Sequence, residues 1–455
     1  MSSSFFLKGK SRQVHKRKGE KLKKPLRKQL KNQQKPNLEN GEDSSGSDLE
    51  FKKFSDAEES ESDHETAEEK KLRIAKKYLE EIEKEEAKRA ELKELSDDVI
   101  SKRLHKDYLE QKGKLHVEIA DNILSPTADD IKLIRVKEQR LSLTCVCVSV
   151  NSEYVFTGSK NSAIVVFNMK DKRKQAIITH KNNLNIKGTI TSLALSTDST
   201  FLASSDESSD IKIWNPLTLK LVHTFKGHKD TVTGLVFRKG THYLYSCSKD
   251  RSVKLWSLDE MAYIETLFGH QTSITSIDAL ARERAITSGG RDATVRIWKI
   301  VEESQLIFNG PSGSLDEVKL LNEEHFVSGS DNGSICLWSV LKKKPLCTVP
   351  EAHGVENEVP RWITSLATYV NSDVFASGSY DNNVKIWKVC DGYRKITLLF
   401  SVEICGFINC LQFSSDCKQL YGAVGQEHKS GRWWRLNSAK NSLLVINLNN
   451  KSDKC

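Results

Sequence analysis

The sequence lacks the features that usually mark a secreted, metal-binding or membrane-spanning protein. Its ten cysteines include no C-x-x-C pair, which argues against a zinc site or a disulfide framework and fits a reducing intracellular compartment. No apolar run approaches the roughly 20 residues that a membrane-spanning helix needs. The only apolar stretch near the start covers residues 5–7, so we expect no signal peptide.

Catalytic patterns are also missing. The chain has no Gly-rich phosphate loop, no sequence cluster of metal-ligating residues, and no Ser, His and Asp set outside its repeats. An enzyme needs such groups to bind a cofactor or to activate a nucleophile. We therefore expect no catalytic activity, no cofactor, no bound metal and no small-molecule substrate.

The chain is marked instead by tryptophans at near-regular spacing. Six of them recur at intervals of 40–49 residues, and Phe167 fills the same slot 47 residues before the first. The six are Trp214, Trp256, Trp298, Trp338, Trp387 and Trp434. Most units share the pattern Ser-x-x-x-Asp-x-x-apolar-x-apolar-Trp, as in SCSKDRSVKLW, which ends at Trp256. Repetition at about 40–45 residues with this pattern is typical of WD40 propellers. We therefore predict an all-β, seven-bladed propeller over residues 131–455, a fold that favours a binding platform over a catalyst.

Polar residues also recur from repeat to repeat. The chain resembles the WD-repeat family, in which His, Ser, Asp and Trp at these positions form a hydrogen-bonded tetrad inside each blade. The resemblance implies two such tetrads, composed of His228, Ser246, Asp250 and Trp256, and of His270, Ser288, Asp292 and Trp298. A His near a Ser and an Asp could also indicate a catalytic triad. Because these residues recur in successive repeats, we favour the structural interpretation, in which buried polar groups satisfy one another.

The last repeat departs from the pattern and reads GQEHKSGRWWRL from Gly425. If this stretch is strand-like, Trp433 and Trp434 point to opposite sides. Trp434 then occupies the structural slot, whereas Trp433 is either an outer packing residue or a contact for a partner. The connection between the fifth and sixth repeats, at about 351–361, is also long. Repeats need only pack, so such departures are where a specific function can lie.

The region before the propeller divides into three segments. Residues 1–37 carry 13 Lys and Arg with one Glu, and an acidic Ser-rich stretch follows; we expect a disordered arm over residues 1–65. Basic runs of this kind are typical of nuclear localisation or nucleic-acid binding, although a merely solvated tail is the alternative. The candidate localisation residues are Lys16, Arg17, Lys18, Lys23, Lys24, Arg27 and Lys28.

Helical segments are expected next, over residues 66–116, because apolar residues recur there at helical spacing. We interpret residues 117–130 as a linker. Ile131–Val136 resembles the outer strand that precedes each blade, so we expect it to close the ring against the last blade. Leu443–Leu448 should supply a further strand, and the order of the two strands stays open.

A closer resemblance extends from about residue 66 to the end. The segments EEKKLRIAKKYLEEIE (68–83), DVISKRLHKDYLEQKGKL (98–115) and GQEHKSGRWWRLNSAKNSLLVINL (425–448) are similar to the WD-repeat proteins of the U3 small nucleolar ribonucleoprotein, the U3 small nucleolar RNA-interacting protein 2 family. This resemblance implies a non-catalytic scaffold that binds the box B/C region of U3 small nucleolar RNA. The implied partners are a small kink-turn-binding protein, other box C/D ribonucleoprotein components and small-subunit processome proteins. The implied process is the maturation of 18S rRNA in the nucleus and nucleolus, without membrane binding. A protein-only WD-repeat adaptor in a nuclear complex is the alternative.

Several residues suit an RNA partner. Structured RNA is recognised by backbone contacts and by bases that stack on aromatic or Arg side chains. Candidates in the last repeat are His428, Lys429, Arg432 and Arg435 for charge and Trp433 for stacking, and secondary candidates in predicted turns are Lys249, Arg251 and Arg291. Any one of these charges taken alone could equally be solvated, and which face of the propeller meets RNA stays open.

Overall fold

The computed structural model describes residues 115–171, 173–178, 188–311 and 313–449, together with nine isolated positions between residues 73 and 109. The chain divides into two units, residues 1–77 and 78–455. The nine isolated positions, which fall in the expected helical segments, are helical, at 73, 76 and 77 in the first unit and at 80, 101, 104–105 and 108–109 in the second. The expected arm over residues 1–65, with the localisation candidates, lies outside the described residues. In the part of the chain that is described, no helix has the length and apolar character needed to cross a bilayer.

Seven four-stranded antiparallel sheets form the propeller, as the repeat predicts. The strands are β1 (Ile131–Ile134), β2 (Leu143–Val148), β3 (Tyr154–Ser159), β4 (Ile164–Asn168), β5 (Arg173–Ile178), β6 (Ile190–Leu195), β7 (Leu202–Asp206), β8 (Ile211–Trp214), β9 (Leu221–Phe225), β10 (Val232–Phe237), β11 (Tyr243–Ser248), β12 (Ser252–Ser257), β13 (Ala262–Phe268), β14 (Ser276–Ala279), β15 (Arg284–Ser288), β16 (Thr294–Lys299), β17 (Ser304–Asn309), β18 (Leu315–Leu320), β19 (His325–Ser330), β20 (Ile335–Ser339), β21 (Lys342–Val349), β22 (Val355–Glu356), β23 (Val359–Pro360), β24 (Ser365–Thr368), β25 (Val374–Gly378), β26 (Asn383–Cys390), β27 (Lys395–Glu403), β28 (Phe407–Phe413), β29 (Gln419–Gly425) and β30 (Ser442–Asn447). Short 3₁₀ helices cover Ala120–Asn122 and Ala128–Asp130.

Blades 1 to 6 each use four strands that are consecutive along the chain, starting at β2, β6, β10, β14, β18 and β24. The small hairpin of β22 and β23 lies in the long connection between blades 5 and 6. Because the strands of a blade alternate in direction, successive loops lie at opposite ends of the propeller. We call the end that carries the loops between second and third strands the upper face, and the other end the lower face.

Both ends of the described propeller contribute to blade 7. Its strand order is β1-β30-β29-β28, so the strand from before the first blade is the outermost, and Leu133 pairs with Leu444. The expectation that residues 131–136 close the ring is therefore confirmed, and the order left open in the sequence is resolved. Closure buries the apolar faces of blades 1 and 7 against each other, where an open ring would expose them to solvent.

The repeated aromatic slot is a core position. In blade 3, Phe237 pairs with Leu244, which pairs with Trp256, and Trp256 is 2% exposed. The equivalent row in blade 7 ends in Ile446, which is fully buried.

The prediction that Trp434 fills this slot is therefore wrong. Trp434 lies in the loop between β29 and β30, residues 426–441, and is 39% exposed. Ile446 can replace the indole because the slot requires apolar volume on a strand, and a β-branched side chain suits a strand.

Residues 117–130, expected to be a linker, are part of the packed structure. Ala120 and Ile123 are buried in the core that also contains residues of blades 6 and 7. The amides of Ile119 and Ala120 donate to Asp373 Oδ1 at 2.9 and 3.2 Å. Burial of the apolar side chains of this segment stabilises the folded protein, which a solvated linker would not do.

Candidate functional site

The upper face carries short turns that are supported by buried tetrads. In blade 3, His228 Nδ1 lies 2.9 Å from Asp250 Oδ2, and His228 Nε2 lies 2.8 Å from Ser246 Oγ. The indole Nε1–H of Trp256 donates to the same hydroxyl at 2.9 Å. Although burial alone would raise it, hydrogen bonds from His228 and Ser252 hold the pKa of Asp250 well below its usual value.

In blade 4 the predicted hydroxyl must be corrected. His270 Nε2 lies 2.8 Å from Thr287 Oγ1, and the Trp298 indole donates to Thr287 at 2.9 Å. Ser288 is not part of this tetrad, because its hydroxyl pairs with Thr275 Oγ1 at 2.7 Å. Thr287 stands 11 residues before Trp298, whereas Ser246 stands ten before Trp256. The spacing of blade 3 therefore predicts Ser288, whose side chain points to the opposite side of the strand from that of Thr287.

A third tetrad lies in blade 6, where the sequence reasoning did not assign a His. His353 contacts Asp381 and Ser377 at 2.8 Å each, and Trp387 donates to Ser377 at 2.8 Å. The β22–β23 hairpin separates His353 from the rest of its blade, and His353 precedes its glycine instead of following one. The recurrence of one geometry in three blades supports a structural role for these His, Ser or Thr, and Asp side chains. In the described part of the chain, no group of three or more His, Cys, Asp or Glu could hold a metal ion.

Lys249, Arg251 and Arg291 lie in the supported turns of blades 3 and 4. All three are exposed on the upper face. Arg251 adopts a left-handed backbone conformation with φ of 69°. They form a cationic area on the same face as the loop of blade 7.

Blade 7 replaces the short turn with the loop over residues 426–441. Its two sides are joined by a bridge between Glu427 and Arg435, and the amide of Leu436 donates to the carbonyl of Gln426 at 2.9 Å. The Arg435 Nη2 also donates to Gln426 Oε1 at 2.9 Å. The segment is therefore an ordered hairpin-like loop, and the condition under which Trp433 and Trp434 would alternate on a strand is not met.

Aromatic rings gather where this loop meets the connection between blades 5 and 6. Trp362 lies 5.4 Å from His428 and 6.2 Å from Trp433 between ring centroids, and His428 lies 5.6 Å from Trp433. Tyr380 is 4.9 Å from Trp434 and 5.7 Å from Trp362. Trp433 is 62% exposed, so its indole offers a free face. We call these five rings the aromatic patch.

Trp362 and Tyr380 were missed from the sequence. Trp362 stands outside the periodic tryptophan series, 24 residues after Trp338 and 25 before Trp387. Its position could have been noticed in the sequence, because it is an aromatic residue that breaks the regular spacing and lies next to a long connection between two blades. Tyr380 occupies the turn between β25 and β26 and is 8% exposed, so it supports the patch from below.

The predicted cations of the loop fall into two groups. Arg432 is 66% exposed at 3.6 Å from Glu427, and Arg435 is also exposed. His428 is different, because burial, with Lys429 and Lys160 nearby, lowers its pKa to about 3 and keeps the imidazole neutral. Lys429 is directed away from solvent, with Nζ 2.9 Å from Glu317 Oε2.

The ion pair of Lys429 and Glu317 lies in the central channel. Both residues line a cavity of about 310 Å³ that runs between the innermost strands of the blades. Lys319 and Asp278 form a second pair in the same channel, with 4.0 Å between Nζ and Oδ1. Of the candidates in blade 7, Arg432, Trp433 and Arg435 therefore face solvent, whereas Lys429 faces the interior of the ring.

Comparisons with known proteins agree with this architecture. The family model described as WD domain, G-beta repeat matches residues 177–215, 219–257, 261–299 and 345–388. U3 small nucleolar RNA-interacting protein 2 of Homo sapiens is 46% identical over 394 residues, covering 84% of this chain and 82% of that protein. The crystal structure of RRP9 WD40 repeats is similar with a TM-score of 0.70 and 44% identity, covering 72% of this chain and 99% of that chain. A structure of U3-55K gives a TM-score of 0.70 and 45% identity, with 71% and 100% covered.

Proposed function

This chain belongs to the U3 small nucleolar RNA-interacting protein 2 family of WD-repeat proteins, and from that premise we propose that it is a non-catalytic RNA-binding scaffold of the U3 small nucleolar ribonucleoprotein. Its RNA target is the box B/C region of U3 small nucleolar RNA, bound beside the kink-turn-binding protein and other box C/D components. Within the small-subunit processome, it supports the processing that leads to 18S rRNA. Its place of action is the nucleus and nucleolus, with the basic stretch at residues 16–28 as the localisation signal.

The aromatic patch with its two exposed Arg side chains is the observation that carries this proposal. Stacking of a base on an aromatic side chain contributes about 1–3 kcal/mol, and every base has a face that can stack. Trp433 offers such a face at 62% exposure. Arg432 and Arg435 lie on the same loop, where they can neutralise backbone phosphates. This combination suits an RNA with unpaired bases beside a structured stem.

The cations of blades 3 and 4 extend the proposed site. Lys249, Arg251 and Arg291 are exposed on the same upper face as the loop of blade 7. None of the three lies over an aromatic ring in the described part of the chain, so each contributes only its charge to RNA binding. Charge contacts position an RNA without reading its sequence. We therefore propose that base recognition lies at blade 7 and that blades 3 and 4 hold the backbone.

Crosslinking of the tagged protein to RNA in cells, followed by sequencing of the bound fragments, tests the proposal. We expect enrichment of the U3 box B/C region, and its loss when Trp433, Arg432 and Arg435 are replaced by Ala, Gln and Gln. Tyr243→Ala is the matched control, because Tyr243 is a 42% exposed aromatic residue at the lower face. Recovery of background RNA alone would contradict the proposal and favour a protein-only adaptor.

A further inference from the structure

The loop over residues 426–441 presents the proposed RNA-binding side chains, and contacts with other blades set its shape. Lys429 Nζ lies 2.9 Å from Glu317 Oε2, and the two side chains are 26% and 13% exposed. Glu317 is on β18, the innermost strand of blade 5. The ion pair therefore joins a loop of blade 7 to a blade that is not its neighbour in the ring.

The partner of Lys429 is itself held in place. Ser276 Oγ of blade 4 donates to Glu317 Oε1 at 3.1 Å, which leaves Oε2 for the ammonium. Burial disfavours the charged form of Lys429, but the nearby Glu317 outweighs it and raises the pKa of Lys429. The ammonium is thus charged and committed to an internal partner.

Two further side chains, those of Asn409 and Lys160, fix the same loop. The amide of Lys429 donates to Asn409 Oδ1 at 2.9 Å, and Asn409 Nδ2 donates to the carbonyl of Glu427 at 3.0 Å. Lys160 of blade 1 is almost fully covered, and its Nζ donates to the carbonyl of Gly431 at 2.7 Å. The segment that leads into Arg432 and Trp433 is therefore anchored from blades 1, 5 and 7.

We infer that Lys429 is a positioning residue for the aromatic patch: its ion pair with Glu317 across the channel holds the loop in the form that receives RNA, and its ammonium contacts no phosphate. This inference rests on the proposed function of the upper face. A loop that is ordered before binding loses less conformational entropy on binding, so the ion pair strengthens binding from inside the protein.

A positioning role and a contact role differ in their salt dependence. The logarithm of the binding constant falls linearly with the logarithm of the salt concentration, and loss of one phosphate contact makes this slope shallower by about 0.7–0.9. We expect Lys429→Met to weaken binding roughly tenfold without changing this slope, because loop order and not charge neutralisation is lost. Lys418→Met is the matched control: it removes one charge from the same blade at its lower face, where Lys418 is exposed, and should change neither value.

Glu317→Gln gives the sharper result. Removing an anion from the protein should strengthen binding to RNA if simple electrostatics dominates. We expect it to weaken binding instead, because it leaves Lys429 without its partner. In Lys429→Met/Glu317→Gln, the loss should be no larger than in either single variant, since both remove one interaction.

The measurements use the full chain, a U3 small nucleolar RNA fragment spanning box B/C with the kink-turn-binding protein bound, and a series of salt concentrations. Thermal unfolding of each variant shows that the propeller remains folded. A smaller salt slope for Lys429→Met, or tighter binding for Glu317→Gln, would make Lys429 a direct contact and overturn the inference.

Amide hydrogen exchange of the free protein tests the same inference without RNA. We expect faster exchange in residues 426–436 of Lys429→Met and Glu317→Gln, by roughly the tenfold change that we expect in affinity, with the rest of the propeller unchanged. Equal exchange in variant and unmodified protein would overturn the positioning role. If the unmodified chain did not bind the RNA at all, the proposed function would fail, and the exchange result would still decide the role of Lys429.

Discussion

The turns of blades 3, 4 and 6 and the loop of blade 7 occupy the same place between second and third strands, but different contacts hold them. Each short turn is stabilised within its own blade by a buried tetrad, such as that of His228 and Asp250. The loop of blade 7 has no tetrad among its contacts and is anchored instead by Lys160 of blade 1 and Glu317 of blade 5. Contacts within a repeat support the ring, whereas contacts from other blades shape a single, unrepeated surface.

The tryptophans make this difference measurable. Trp256 is 2% exposed in the core of its blade, and Trp434 is 39% exposed above Tyr380. We expect Trp256→Ala to lower the free energy of unfolding by about 3–5 kcal/mol, because it opens a large cavity. Trp434→Ala should cost less than about 1 kcal/mol, as is usual for partly exposed positions.

Urea unfolding followed by circular dichroism checks both variants under one condition. Trp338→Ala is a control, since Trp338 is fully buried in the equivalent slot of blade 5 and should behave as Trp256→Ala does. Similar losses for Trp256→Ala and Trp434→Ala would mean that blade 7 uses its tryptophan as the other blades do.

The fold was predictable because its information is local and repeated. Spacing and the Asp-to-Trp pattern identify each blade independently, so an error in one repeat does not change the architecture. The closing strand was also accessible, because residues 131–136 have the apolar character of an outer strand. Residues 117–130 were not recognised as packed, since nothing local in that segment indicates that Asp373, 253 residues after Ala120, accepts its amides.

The candidate site was predictable only in part, for a related reason. Composition indicated the loop of blade 7, because Arg, Lys, His and Trp are dense there. It could not separate Arg432, which faces solvent, from Lys429, which pairs with Glu317 more than 110 residues away. The direction of a charged side chain depends on partners that only the closed ring brings together.

Blade 4 allows a finer comparison of two neighbouring hydroxyls. Thr287→Val keeps the shape of the side chain but leaves His270 and Trp298 without their shared hydroxyl. We expect it to lower the free energy of unfolding by about 2 kcal/mol, because buried polar groups lose their partner. Ser288→Ala removes the bond to Thr275 and should cost about 1 kcal/mol.

Thr287→Ser retains the hydroxyl and serves as the control in the same urea titrations. Its loss should be smaller than that of Thr287→Val. A larger loss in Ser288→Ala than in Thr287→Val would restore Ser288 as the tetrad residue that the sequence indicated.

An effect smaller than that of Thr287→Val is expected from a pH dependence that belongs to the loop of blade 7. Burial lowers the pKa of His428 to about 3, from an ordinary value of 6.5. Between these two pH values, His428 binds a proton when the loop is open but not when it is closed. The closed loop is therefore most stable above about pH 6.5 and loses stability as the pH falls below that value. At pH 5.5 the penalty is about 1.4 kcal/mol, which corresponds to roughly a tenfold larger population of the open loop.

RNA affinity measured at pH 7.5 and 5.5 tests this dependence, with His428→Gln as the matched variant. Asp316 lies near Lys429, and burial raises its pKa to about 6. Its titration and that of the RNA are common to the unmodified protein and to His428→Gln. We expect the affinity of the unmodified protein to fall more on acidification than that of His428→Gln, because the amide side chain of the variant does not titrate in this range. Parallel losses in the two proteins would show that His428 stays in place when protonated and that the aromatic patch does not depend on a neutral imidazole.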